Sequence, residues 1–512
     1  MPLQTLPEGK SQCYSSTMSP SVAEAPVTTP PRRLLVTAES KQKPTIVDLL
    51  NDWQYLEKAT HRLICAWGRG IAPWFDKSAI HRHVWDQAEC VRRLRERVAQ
   101  FPGGKPDAPV SSRLEKLANL ILLAPHLNDA LDGIYELLLK ALVTAYGEYS
   151  SHAHPVHDAP TVALLHEINQ IKSQEFLWYR DYRRRHPHTT NLAYRTAVER
   201  AIAECGGFHA ALPLPAGDSG AQPAGARTDF KYAKFSARDV PIRPKHDFMS
   251  YVRVDFPTSL EARRLFWGFG YMMEKNLPDD QLLWIYDGHY LPWEWHHDIS
   301  RHLWDESRHG DSGYSRLRDF GIDFDDVGFP GYDQSLRIPV LEAAAKEHGI
   351  TLDQAFLDYP KYLDPVLSDT HITRAQMYEH VFSIGMVAET GHFIVKQEAY
   401  GDFREGQDLE SAEMMLFDII DETAHVQYCH KWLPLLAELA GVDNSNYRER
   451  GVTVRADVQK KHDVISAELN AKLSRTPGNP DFDFYTDLLA RIRRVKPLAN
   501  AATCPPRSPK PM

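Results

Sequence analysis

Apolar residues recur at three- and four-residue intervals through most of this chain, the spacing of one buried helix face. The pattern predicts helices over Ile46–Trp67, Ser78–Ala99, Ser112–Tyr149 and Pro160–Tyr182. It resumes over Ser259–Trp284, Trp295–Phe320, Arg374–Asp402 and Leu409–Leu439. Strand-like alternation is scarce, so the expected fold class is all-α. Residues 1–44, rich in Ser, Thr and Pro, read as a disordered tail, and 501–512 as another. Residues 212–257 open Pro/Gly-rich and then turn irregular, which reads as a linker. The remainder divides into helical domains at 45–211 and 258–442, followed by C-terminal helices within 443–500.

The two helical domains share sequence. Ala72–Cys90 ("APWFDKSAIHRHVWDQAEC") aligns with Leu291–His309 ("LPWEWHHDISRHLWDESRH") at a constant offset of 219. Pro-Trp, Arg-His and Trp-Asp pairs are preserved without a gap. Ala145–Tyr149 resembles Ala399–Phe403, and Glu57 falls on Glu274. A duplicated four-helix unit is the expected architecture.

Composition narrows the function classes. A net charge of −9 over 512 residues argues against nucleic acid or an anionic membrane as the main partner. No apolar run reaches the ~18 residues of a membrane span. The six cysteines form no CxxC pair, so neither a zinc site nor a disulfide framework is indicated. The chain begins without a basic, apolar leader, and a reducing, cytoplasmic location is expected.

The candidate chemistry lies in the second domain. Residues three apart on a helix project from nearly the same side, so Glu-x-x-His can present a carboxylate and an imidazole to one ion. Such pairs include Glu306 with His309, Glu389 with His392, and Glu422 with His425. Two extend to Asp-Glu-x-x-His, at Asp305–His309 and Asp421–His425, where an aspartate can fix the tautomer of a ligating imidazole. Glu274 and Glu306 are 32 residues apart, and Glu389 and Glu422 are 33 apart. That is enough chain to climb one helix and descend the next to the same level.

This arrangement resembles the ferritin-like di-metal carboxylate superfamily, with two four-helix bundles in tandem and the N-terminal one degenerate. The resemblance covers Ser259–Leu439 and implies six metal ligands: Glu274, Glu306, His309, Glu389, Glu422 and His425. Pro278 follows Glu274 by four residues, and Glu261 or Glu294 are alternatives for that position. His392, Asp305, Asp421, Asp418 and His302 are candidates for an extra ligand or for partners of the ligands. His302 also recurs as His83, which favours packing. Trp267, Phe269, Tyr271 and Trp284 read as core, and Cys429 as a small buried residue. Tyr428 is close enough in sequence to His425 to serve as a radical or proton donor.

The implied cofactor is two Fe, two Mn or a mixed Mn/Fe pair. The implied activity is dioxygen-dependent oxidation of a small organic substrate, with electrons from an external donor or from the substrate. A metal-storage protein and a non-catalytic helical scaffold are the alternatives. In the first domain Gln87 and Cys90 stand where Glu306 and His309 would, Tyr135 near Glu389, and Lys172 with Glu175 where Glu422 and His425 would. A lysine there is expected to pair with Glu57 or Glu175 in place of a metal's charge.

Overall fold

The computed structural model describes residues 46–210, 212, 229–240, 259–328, 334–364, 366–472 and 477–495. Most of them are helical, and among the described residues Tyr232–Ala233 and Leu367–Ser368 form a small antiparallel sheet. Both proposed tails lie outside the described residues, as does most of the expected linker. Its described part is not a bare connection. Phe230, Tyr232 and Phe235 are buried, and the short sheet ties this segment to the later chain.

Eight helices position the chemistry. In the first half they are α1 (Ile46–Gly68), α2 (Trp74–Ala99), α3 (Lys140–His152) and α4 (Ala159–Arg185). In the second half they are α5 (Leu260–Glu274), α6 (Trp293–Asp319), α7 (Thr390–Glu405) and α8 (Leu409–Ala440). A π-helical turn, Asp132–Leu139, runs into α3, and another, Ser383–Glu389, runs into α7. Such turns bulge one extra residue into a helix and redirect the side chains beyond it.

Local rules explain the ends. Ser259 caps α5, its side chain accepting from the Ala262 amide at 3.1 Å. The expected single helix Ser259–Trp284 is two, because Pro278 has no N–H for the Glu274 carbonyl. The chain turns at Lys275 and resumes as Asn276–Asp287. Asp408 caps α8 and is itself buried between Arg264 of α5 (2.7 Å) and Arg316 of α6 (2.9 Å). One capping carboxylate thereby fixes three helices relative to each other. Gly441 closes α8 in the left-handed conformation, φ 67°, which glycine adopts without strain.

One apolar core runs through both halves, from Leu50 and Trp53 through Leu138, Trp295 and Leu303 to Leu433 and Leu436. The halves meet chiefly where α2 packs on α6. Contacts there exchange partners. Trp85 stacks on Trp304 with their planes 8° apart. Arg82 lies over Trp304 at 4.3 Å, and Arg301 over Trp85 at 5.6 Å. Lys58 lies over Trp293 at 5.2 Å, and Lys275 over Trp74 at 5.1 Å. These are the positions that the sequence alignment equates.

Candidate metal centre

Four segments of the second half bring their acids and imidazoles to one buried place. His302, Glu306 and His309 follow one stripe of α6, at four- and three-residue steps. Asp418, Glu422 and His425 do the same on α8. Glu274 ends α5, and Glu389 ends the π turn before α7. Glu306, Glu422 and His425 are at most 2% exposed and Glu389 is 5% exposed, whereas the Glu274 side chain is only partly covered.

Ligand-type atoms converge in overlapping groups. Atoms of His302, Glu306, Glu389 and His425 lie within 4.8 Å of one another, as do those of Glu274, His309 and Asp418, and of Glu306, His309 and Glu422. All six residues read from the sequence are therefore brought together, along with His302 and Asp418. His302 Nε2 is 3.2 Å from Glu306 and 3.5 Å from Glu389, and its ring stacks on His425 at 3.7 Å. Packing is thus not its sole setting. The matched His83 has lost these acids and meets the Tyr135 hydroxyl at 2.9 Å instead.

His392, one of the extra-ligand candidates, is exposed and outside these groups. The buried stripe of this helix runs through Glu389, Lys396, Ala399 and Phe403, and three residues on from Glu389 turns about 60° off it. The alternatives to Glu274 are also elsewhere. Glu261 faces Arg493 and Glu294 faces Arg95. Tyr428 is half-buried and outside the groups, and Cys429 packs in the core.

The two Asp-Glu-x-x-His motifs serve each other across the helix pair. Asp421 of α8 accepts from His309 Nε2 of α6 at 3.3 Å. Asp305 of α6 lies 3.5 Å from His425 Nε2 of α8. Each imidazole therefore turns Nδ1 inward. His309 Nδ1 is 3.3 Å from Glu274 and 3.5 Å from Asp418, and His425 Nδ1 is 3.3 Å from Glu306 and 3.6 Å from Glu422. Arg301 and Arg308 bind both aspartates from outside, at 2.8 Å for Arg301–Asp305 and 2.6 Å for Arg308–Asp421.

Lys396 was not legible as part of the site. Its ammonium lies 2.7 Å from Glu422 and 2.8 Å from Asp418, fully buried, and the Tyr271 hydroxyl donates to Asp418 at 2.7 Å. The sequence signal was slight: a lysine seven residues after Glu389, hence back on its face.

The electrostatics express crowding of acids. Burial pushes Glu274 up to about 7. Burial alone would favour neutral imidazoles, yet Asp418, Asp421 and Glu274 outweigh it and hold His309 up at about 10. His425 is likewise raised well above its ordinary value, despite burial, by Asp305, Glu306 and Glu389. Burial opposes a charged Glu389, but His302 and His425 bring it down to about 2.

Metal ions fit these residues on a direct test. Glu274 Oε2, Glu306 Oε1, Glu422 Oε2, His309 Nδ1, His425 Nδ1 and His302 Nε2 make no hydrogen bond of good geometry and meet one another only as ion pairs at 3.2–3.6 Å, leaving their lone pairs for an ion. Charge points the same way. Arg301 and Arg308 match Asp305 and Asp421, so with the imidazoles neutral, as ligands must be, five inner carboxylates face Lys396 alone. Two divalent cations would neutralise the remaining four charges.

No protein family, curated protein or solved structure matches this chain. Its function is therefore argued from the centre itself.

The equivalent place in the first half is a closed polar cluster. Lys172 is 2.6 Å from Glu57 and donates to Gln87 at 2.5 Å. Gln87 in turn donates to both oxygens of Glu175, and Tyr146 donates to Glu57 at 2.8 Å. The expected lysine–glutamate pairing is present. A cavity of about 110 Å³ borders the second-half centre on its His309 and Asp418 side, lined by Tyr271, Arg308, His309, Met414, Phe417 and Asp418 among others.

Proposed function

We propose that this chain is a di-iron or di-manganese oxidoreductase that uses dioxygen to oxidise a small organic substrate, built as two ferritin-like bundles of which the second is active. One observation carries the reading: buried ligand-type atoms from four segments converge into three groups, linked to each other through Glu306 and His309. Oxygen-rich ligation with imidazoles suits Fe(II) or Mn(II) rather than softer, thiolate-seeking ions. When bound, such ions supply Lewis acidity and the electrons that dioxygen takes up.

The residues have separate tasks in this scheme. His302, Glu306, Glu389 and His425 hold one position deep in the core. Glu274, His309 and Asp418 hold the other, which borders the cavity. Substrate and dioxygen approach from that side, past Phe417 and Met414, whose apolar surfaces limit water around the reacting atoms. Tyr271, bonded to Asp418, is placed to hold a proton at the cavity wall. A pure scaffold would leave these carboxylates and imidazoles facing solvent, and their burial favours the metal reading over that alternative. The exchanged contacts across Trp85 and Trp304, and a π turn at the same place in each half, support descent from one duplicated unit.

Metal analysis of purified protein tests this. About two Fe or Mn per chain are expected, with a ligand-to-metal absorption band after anaerobic Fe(II) loading and exposure to air. Glu422→Ala with His425→Ala should remove both. Fully stable wild-type protein that stays free of metal under metal-replete conditions would end the proposal.

A further inference from the structure

Among the described residues Lys396 is the one lysine or arginine that pairs with the inner carboxylates, and it stands on one side of the centre. Its ammonium reaches both oxygens of Asp418, at 3.0 and 2.8 Å, and one oxygen of Glu422 at 2.7 Å. It lies 5.7 Å from the Tyr271 ring centroid. It makes no ion pair with Glu306 or Glu389 among the described residues. No lysine or arginine among the described residues pairs with the group His302, Glu306, Glu389 and His425, whose acids face imidazoles instead. The group containing Asp418 is bound to an ammonium.

We propose that Lys396 makes the two metal positions unequal, so that the deep position fills first and the cavity-side position fills only when Lys396 releases Asp418 and Glu422. This rests on the di-metal reading above and adds an order of loading to it. An ion taking Asp418 must compete with an internal cation already within hydrogen-bond distance of both carboxylate oxygens. At either position an ion displaces an imidazole proton, but at the deep position it meets no ammonium. The first half shows where this competition ends when the lysine wins outright. Lys172 sits between Glu57 and Glu175, beside Gln87 in place of a ligand carboxylate. In the second half the lysine comes from α7 instead of the α8-like helix, and the acids outnumber it.

The experiment is a titration of metal-depleted full-length protein with Mn(II), followed by calorimetry and by native mass spectrometry. Wild type should bind one ion tightly and a second at least tenfold more weakly, or only one within the range tested. Lys396→Gln and Lys396→Met should raise affinity for the second ion tenfold or more without changing the first. Two equal sites in wild type would overturn the proposal. So would Lys396 variants that leave the gap unchanged or bind the second ion more weakly. The wild-type isotherm decides even if one variant fails to fold. Wild type that binds no Mn(II) at all refutes the di-metal reading instead, a separate outcome.

Discussion

Asp305 and Asp421 sit one residue before Glu306 and Glu422, yet each serves the histidine of the opposite helix. This exchange couples α6 to α8 through the imidazoles. A metal-bound imidazole depends on the acceptor at its other nitrogen for tautomer and orientation, and losing that acceptor typically costs about 10–100-fold in affinity. Asp421→Ala should therefore weaken metal binding by about that factor while all six ligand residues remain. Asp421→Asn keeps an acceptor oxygen but no charge, and should lose less. Titration with Mn(II) reads both, and equal affinity in wild type and Asp421→Ala would show that the contact does not orient the ring. Spacing made the carboxylates and the two Glu-x-x-His pairs readable at this scale. His392 misled because a three-residue step is only near the same face, and the π turn ending at Glu389 aims the helix at Lys396. Lys396 escaped because a lysine in a helix is ordinarily on the surface.

Among the elements, the π turn Ser383–Glu389 has the tightest constraint. Gly385 lies against Cys429 of α8, and a Cβ on it would fall 2.2 Å from Cys429 Sγ and 2.3 Å from its Cβ. The Cys429 Cβ is fixed to the backbone and cannot move away without shifting α8. Gly385→Ala should thus cost about 1–3 kcal/mol by overpacking and carry Glu389, one turn onward, off the centre. Thermal melts and metal content check the two effects together. Cys429→Gly in the same chain should restore part of each, and no recovery would place the strain elsewhere. Helix existence was readable from apolar spacing, and Leu409–Ala440 lies within a residue of its expected end. The breaks were less so. Pro278 ends α5 at the candidate ligand itself, and Gln334–His348 and Leu352–Leu357 fell in a stretch that showed no long periodic face.

Across the whole molecule, the two halves carry the same polar position with opposite solutions to buried charge. In the second half the inner carboxylates outnumber the lysines and arginines that pair with them. In the first, Lys172 and Gln87 satisfy Glu57 and Glu175 without one. The expectation of a degenerate first half came from Gln87, Cys90, Tyr135, Lys172 and Glu175 at the positions matched to the ligands. The way Lys172 and Gln87 interlock with Tyr146 required coordinates. That cluster has a pH signature. Burial raises Glu175 from 4.5 to about 8, although Lys172 pulls it down. A carboxyl whose folded value lies above its unfolded one binds more protons when folded. Its contribution is complete below about 4.5 and is lost as pH rises toward 8. Urea unfolding of metal-depleted protein at pH 5 and pH 8 should show wild type losing stability over this interval. Glu175→Gln keeps the shape and cannot ionise, so its loss over the interval should be smaller by an amount on the order of a few kcal/mol. Identical losses in the two proteins would mean that Glu175 is already charged at pH 5, and that the first half carries a buried net negative charge which Lys172 alone does not neutralise.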